Sequence, residues 1–290
     1  MPENSDTQQS PGDTPEEEKS FFTIIIHSFF IIPFLIAVFC AVLFAGMYML
    51  TREQRSVYDY LEDIKTGGSS KRWQGAFELS RILANPDLIP QEKRFTDELI
   101  SAFEHAKYDD NRTRQYIALA MGRTGNTEFV QSLINGLKDE KEVNIPAVIY
   151  ALGMLKQKES APVLYPYVDH ANSRIRSIAI VALGTIAEPR SKNILKKHLN
   201  DQEPNVQWGA AIALAQMNDS SGKSILSQMM SRSYWLQFPE VDRNEQNNLV
   251  LIAIAASILL NDPDLNAQIS KIAKSDPNMK VRAAALDSRK

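Results

Sequence analysis

The 290-residue chain has a single cysteine, Cys40, so no internal disulfide can form. Its four histidines, His27, His105, His170 and His198, are never followed by glutamate, which removes the paired His-Glu ligands of a helical metal centre. No glycine-rich phosphate loop occurs. Gly122-Arg-Thr-Gly125-Asn has no Lys-Ser or Lys-Thr after it and reads as a helix stop. A nucleophile elbow is missing too. The sequence therefore predicts no catalytic, cofactor-binding or metal-binding residue and no small-molecule substrate.

An excess of charge of either sign is also missing beyond the N-terminus. Residues 1–51 hold six of the 35 acidic residues and one of the 32 basic ones, so the remainder is near neutral. A nucleic-acid binder would carry a strong basic excess. Residues 1–20 are acidic, polar and almost free of apolar side chains. They cannot bury enough surface to offset ordering entropy, and the expectation is a disordered acidic tail.

Asp, Glu, Lys and Arg are all absent from Phe21 to Leu50, a run longer than the roughly 20 apolar residues that cross a bilayer. The acidic start and long apolar core fit a cleavable signal poorly. Residues 21–51 are predicted as a transmembrane anchor in contact with lipid, with Pro33 near the first turn of the spanning helix. Arg52, Arg55, Lys65, Lys71 and Arg72 follow it, against Lys19 alone before it. By the positive-inside rule this places the following domain in the cytoplasm. Residues 52–69 are expected to form a juxtamembrane helix and a Gly/Ser joint, with Val57, Leu61 and Ile64 on one face.

What the chain does have is a repeat. Gly122, Gly153, Gly184 and Ala215 stand 31 residues apart, and other columns keep that step: Ala120, Ala151, Ala182 and Ala213; Met121, Leu152, Leu183 and Leu214; Leu133, Leu164, Leu195 and Leu226. A period shared by several apolar columns marks units that bury their faces by stacking. Ile175, Ile178, Ala179, Ala182, Leu183 and Ile186 have helical spacing, Glu188-Pro189 breaks them, and Ser191 to Asn200 makes a second helix. Residues 70–290 are thus predicted as six helical hairpins plus a terminal half unit, with an insertion at 233–244. Leu260 and Ile272 suggest that the register slips by 15 residues across the insertion. The small column suits close helix approach, and the glycine column suits a helix end.

The run Asn172-Ser-Arg-Ile-Arg176-Ser-Ile-Ala-Ile-Val-Ala182-Leu183-Gly184, followed by Leu195, Leu199 and Asp201, resembles the short HEAT-like repeats of bacterial proteins, also called PBS-lyase-type HEAT repeats. Arg114, Arg176 and Arg282 match the arginine column of that signature; Ile145 and Gln207 depart from it. The resemblance implies an all-α, right-handed α-solenoid, a bacterial inner-membrane home, and second helices lining the concave side.

Two features are candidates for binding a partner protein. Lys192, Lys196 and Lys197 form a cationic run on the second helix of the fourth unit, where a solvated helix face is the competing explanation. Tyr234, Trp235 and Phe238 crowd the insertion, as interface aromatics do, unless they plug the register slip. Tyr150, Tyr165 and Tyr167 are expected to pack between units. The predicted function is a non-catalytic, membrane-tethered scaffold or adaptor. An accessory subunit of a transporter or secretion complex and a lyase-like enzyme on the same scaffold are the alternatives.

Overall fold

The computed structural model describes residues 27–51, 55–138 and 140–287. The expected acidic tail, residues 1–20, lies outside them. The described chain falls into two units, one ending at Arg55 and one beginning at Ser56, and contains no strand.

In the first unit a π-helical turn, His27–Ile31, leads into helix α1, Ile32–Thr51. Pro33 occupies the first turn, where its missing N–H costs nothing. The segment Phe29–Met49 has a mean hydropathy of 2.7 over 21 residues and is exposed along its length. It is the one helix among the described residues long and apolar enough to cross a membrane.

The described residues of the second unit form a stack of seven helical hairpins. Helix α2, Val57–Thr66, opens with a capping box: the Asp59 amide donates to Ser56 Oγ (3.2 Å) and the Ser56 amide to Asp59 Oδ2 (2.6 Å). Its buried Val57, Leu61 and Ile64 pack it against α3, Ser69–Ile82. The following hairpins are α4, Lys93–His105, with α5, Asn111–Arg123; α6, Phe129–Lys138, with α7, Ile145–Leu155; α8, Ala161–Val168, with α9, Ser173–Ile186; and α10, Ser191–Lys197, with α11, Pro204–Gln216. The last two are α12, Lys223–Met229, with α13, Arg243–Leu260, and α14, Pro263–Ser275, with α15, Met279–Asp287.

This frame differs from the expected one by half a unit. The helices of the Ala-Leu-Gly column pack mainly on one another. Of their chain neighbours, α5, α7 and α9 touch the preceding helix more than the following one and so close a hairpin, a preference that α11 does not share. The expected juxtamembrane helix is the first helix of the first hairpin, and Thr66-Gly67-Gly68 is the turn inside that hairpin. In this grouping no half unit is left over among the described residues.

The second helices form one layer, held by the small-residue columns. A Cβ placed on Gly122, Gly153 or Gly184 would lie 2.8, 3.0 or 2.6 Å from the Cα of Ala151, Ala182 or Ala213 on the next second helix. The glycine column therefore permits close approach between helix backbones inside the layer and is not the helix stop. The stops lie three residues on, at Gly125, Lys156, Ala187 and Asn218, whose φ angles of 68°, 56°, 54° and 52° are left-handed. The next, Asn261 (φ 48°), stands 43 residues after Asn218. Ala210, Ala211, Ala213 and Leu214 are buried, and so are Ala253, Ile254, Ala256 and Ser257 at the same offset. The insertion therefore adds 12 residues to the 31-residue step rather than 15, and Leu260 is only half-buried.

Ion pairs tie neighbouring hairpins. A second-helix arginine of one hairpin meets an acid in the turn of the next: Arg72 Nη2 with Asp109 Oδ1 (3.0 Å), Arg114 Nε with Glu140 Oε2 (2.8 Å), and Arg176 Nη2 with Asp201 Oδ1 (2.9 Å). Arg232 and Asp276 (2.8 Å) make the same kind of link across the last two hairpins. Where the column departs, Ile145 is simply buried and Gln207 Nε2 donates to the Asp201 carbonyl (2.6 Å).

Candidate partner-binding surface

The aromatic insertion is a plug. Residues Tyr234–Gln237 form a 3-10 turn between α12 and α13. Trp235 is 1% exposed, its indole N–H donating to the Met229 carbonyl (2.9 Å). Trp208 on α11 donates to the Tyr234 hydroxyl (2.9 Å) and meets Trp235 and Phe238 edge to face, with centroids 5.1 and 5.2 Å away. The four rings fill the gap left where the extra residues interrupt the repeat. Trp235 offers no surface to a partner; Tyr234 and Phe238 are half-buried. The large apolar side chain the insertion exposes is Leu236, 83% exposed.

Lys192, Lys196 and Lys197 lie on α10, in the layer opposite the one formed by the Ala-Leu-Gly helices. Lys196 is bound to Asp219 (2.9 Å), Lys192 is half-buried, and Lys197 is exposed. Burial pushes the Asp219 carboxyl up, but hydrogen bonds from Ser221 and Lys196 outweigh it and hold its pKa at about 2. The pair thus joins neighbouring hairpins. Lys192, Lys196 and Lys197 do not form one free cationic surface.

The surface missed in the sequence lies on the second-helix layer. Its outward positions are Tyr116 and Leu119 on α5, Ala147 and Tyr150 on α7, Ile178 and Val181 on α9, Ile212 on α11, and Ile252 on α13, while Gly209 on α11 is buried. Tyr150 is 49% exposed, Val181 40% and Ile252 44%, and Leu119, Ile178 and Ile212 are half-exposed. Tyr150 therefore does not pack between units as expected, whereas Tyr167 does, donating to the Leu137 carbonyl (3.2 Å). Phe77 on α3 extends the strip, stacked edge to face on Tyr116 (5.2 Å). No charged side chain occurs from Gln115 to Gly122, along α7, from Ser177 to Ile186, along α11, or from Gln246 to Leu260. Exposed apolar side chains scattered singly need no explanation, but a strip repeated at one position over four helices does. A periodic signal was present: Leu119, Tyr150, Val181 and Ile212 keep the 31-residue step one place before the alanine column. Sequence reasoning took only Tyr150 from that column, and as packing between units.

A cleft of about 510 Å³ between the first two hairpins is lined by Lys65, Arg72, His105, Asp109 and Thr113, among others. Its charges are spent on each other and on the hairpins: Arg72 holds Asp109, and Lys65 holds Glu98 (3.0 Å). Among the described residues no group of His, Cys, Asp and Glu side chains is placed to hold a metal ion.

Residues 96–184 and 164–236 match the family model of HEAT repeats. The complex of CpcE and CpcF of phycocyanin lyase from Nostoc sp. PCC7120 is similar in fold: TM-score 0.60 at 20% identity, over 82% of this chain and 88% of that one. YibA of E. coli (TM-score 0.48, 17% identity, 84% of each chain) and a designed armadillo repeat protein (0.40, 16%, 80% of this chain and 98% of that one) are more distant. No curated protein matches the chain. The fold is an all-α solenoid of HEAT-like hairpins.

Proposed function

We propose that this chain is a non-catalytic scaffold, tethered to a membrane by α1, that holds a partner protein on the second-helix face of its solenoid. The observation that carries the reading is the uncharged apolar strip from Tyr116 to Ile252, exposed on the layer that the glycine and alanine columns align. Such faces mark protein interaction sites. The tether is supported by the length and apolarity of Phe29–Met49. Tethering raises the effective concentration of a membrane-associated partner, so a modest interface suffices. A bacterial inner membrane with the stack on the cytoplasmic side fits the basic residues that follow α1. Protease accessibility of the stack in spheroplasts tests that sidedness.

The test of the scaffold role is affinity capture of the full chain from detergent-solubilised membranes, beside a Tyr150→Glu, Val181→Glu double variant. A protein recovered with the parent chain and lost with the variant supports the role. Equal recovery with residues 1–55 alone would move the interaction to α1 and favour an accessory subunit whose transmembrane helix makes the contact. An enzyme on this scaffold draws only on the likeness to lyase subunits, which at 20% identity concerns the fold. A bound chromophore on the purified chain would favour it.

A further inference from the structure

We infer that the solenoid has a joint between its fifth and sixth hairpins, at which α12 to α15 swing as one body against α2 to α11. Three features that hold the middle of the stack together end on α11. The first is the core. Buried side chains form one cluster from Val57 to Met217 and another from Trp208 to Ala285. On α11, Val206, Ala210 and Leu214 belong to the first, and Trp208, Ala211 and Ala215 to the second; half-buried Leu199 touches both. The middle of α11 holds Gly209, Ala210, Ala211 and Ala213, which are too short to carry apolar contact from one cluster into the other.

The second feature is the interlock of the second helices. Counted three residues back from the left-handed stops, the glycine column reads Gly122, Gly153, Gly184, Ala215 and Ile258. At the three glycines the next second helix comes so near that a Cβ would clash with it. Ala215 carries that Cβ, and Ile258 carries a whole side chain, 38% exposed. The same approach is therefore closed to α13, which leaves the room that the rings fill. The third feature is the arginine tie. Arg72, Arg114, Arg176 and Arg232 each reach the next hairpin, and Asn172 Nδ2 donates to Glu142 Oε1 (3.1 Å) between the third and fourth. Between the fifth and sixth the column holds Gln207, which turns back to the Asp201 carbonyl of its own hairpin.

The contacts that do cross this boundary set an axis at the chain connection. There α11 lies against α12, a Cβ on Gly222 would be 2.6 Å from Ala211 Cα, and Lys196 holds Asp219 in the connecting turn. Toward the start of α11 the boundary is filled by Trp208, Tyr234, Trp235 and Phe238. One indole bond crosses it, from Trp208 to the Tyr234 hydroxyl, while Trp235 bonds the Met229 carbonyl inside the sixth hairpin. Apolar contact is non-directional, so rings slide where an interlocked backbone cannot. Beyond the joint the last two hairpins are bound together by Lys223 with Asp262 (2.7 Å), Gln268 Nε2 with the Ser227 carbonyl (2.8 Å) and Arg232 with Asp276. Two rigid bodies joined at an element end are the parts of a hinge. Its motion changes the angle between Ile252 and the strip at Tyr150 and Val181, and so the curvature of the second-helix face.

The test reads distances in the full chain, held in lipid nanodiscs in a Cys40→Ser background. Gln131, Asn193, Ser224 and Ala267 are exposed and take one repeated position on α6, α10, α12 and α14. Cysteines replace them two at a time and are spin-labelled, and double electron–electron resonance gives the distance distributions. The pair 131/193 spans two hairpins before the joint, 193/267 spans two across it, and 224/267 lies beyond it. The 193/267 distribution should be at least about twofold broader than that of 131/193, with 224/267 as narrow as 131/193. Phe238→Ala, which thins the ring filling, should broaden 193/267 further and leave 131/193 unchanged. A 193/267 distribution as narrow as 131/193 would overturn the joint. Equal breadth in 224/267, or equal broadening of 131/193 by Phe238→Ala, would overturn it too. The scaffold reading needs no movement and stands or falls separately.

Discussion

Two glycine-to-alanine substitutions on second helices should move stability in opposite directions. Gly184 and Gly209 both lie inside second helices, where alanine is intrinsically favoured by about 1 kcal/mol. At Gly209 the new methyl would sit 3.6 Å from Ile180 Cγ2 and 3.7 Å from Val181 Cγ2, which is ordinary contact, so the full gain is expected. At Gly184 it would lie 2.5 Å from Ala213 Cβ and 2.6 Å from Ala213 Cα. Carbon contacts relax near 3.5–4.0 Å, so the helices must part by about 1 Å. Overpacking of that kind costs about 1–3 kcal/mol, leaving a net loss of about 1 kcal/mol after the helix gain is subtracted. The variants should therefore differ by about 2 kcal/mol. For a unit of this size that is about 4–8 °C in Tm, with Gly209→Ala above the parent and Gly184→Ala below it. Thermal unfolding of the full chain followed by far-ultraviolet circular dichroism reads this directly. Ala213→Gly added to Gly184→Ala should recover part of the loss by removing the methyl nearest the clash. A rise in Tm for Gly184→Ala equal to that of Gly209→Ala would refute the close approach on which the layer rests.

Three other outcomes follow from the packing. Arg114 and Glu140 are 3% and 1% exposed, and Arg114 also bonds the Phe103 carbonyl and covers the Phe103 ring at 3.4 Å. Arg114→Met should therefore cost about 3–5 kcal/mol in denaturant unfolding by stranding Glu140, and Glu140→Gln added to it should restore much of that. Trp235→Ala should cost about 3–5 kcal/mol and lower Tm by several degrees, whereas Leu236→Ser should leave Tm within a degree or two; equal effects would contradict the plug. Asp219 is held at about 2, and Asp201 and Asp276 are also lowered, burial opposing the hydrogen bonds and ion pairs in each case. A depressed carboxyl contributes stability above its unfolded value, near 4, and loses it as pH falls through the folded value. Urea midpoints should accordingly drop between about pH 4 and pH 2, and Asp219→Asn should flatten that drop.

The repeat was legible because stacking imposes one step on every buried column. Ala120, Ala151, Ala182 and Ala213 must all accept a neighbouring backbone, so they had to be small in each unit. The frame was not legible. A period has no beginning, and whether the Ala-Leu-Gly helix opens or closes a hairpin depends on which neighbour it touches more closely. That choice made Val57–Thr66 part of the stack. The slip at the insertion was misjudged because Leu260 looks like Leu214, while Ser257 takes that buried place beside the Met230 sulfur (3.8 Å).

By itself, then, the sequence determined the solenoid and its 31-residue step. It also contained the apolar character of Phe29–Met49. These are properties of residue type and spacing, which survive without coordinates. Only the tertiary structure decided that Trp235 faces inward and Tyr150 outward. Both are large aromatics at helical or turn positions. Which of them meets solvent depends on how far the next hairpin reaches, and that distance is set by the Gly–Ala contacts and the ring plug together.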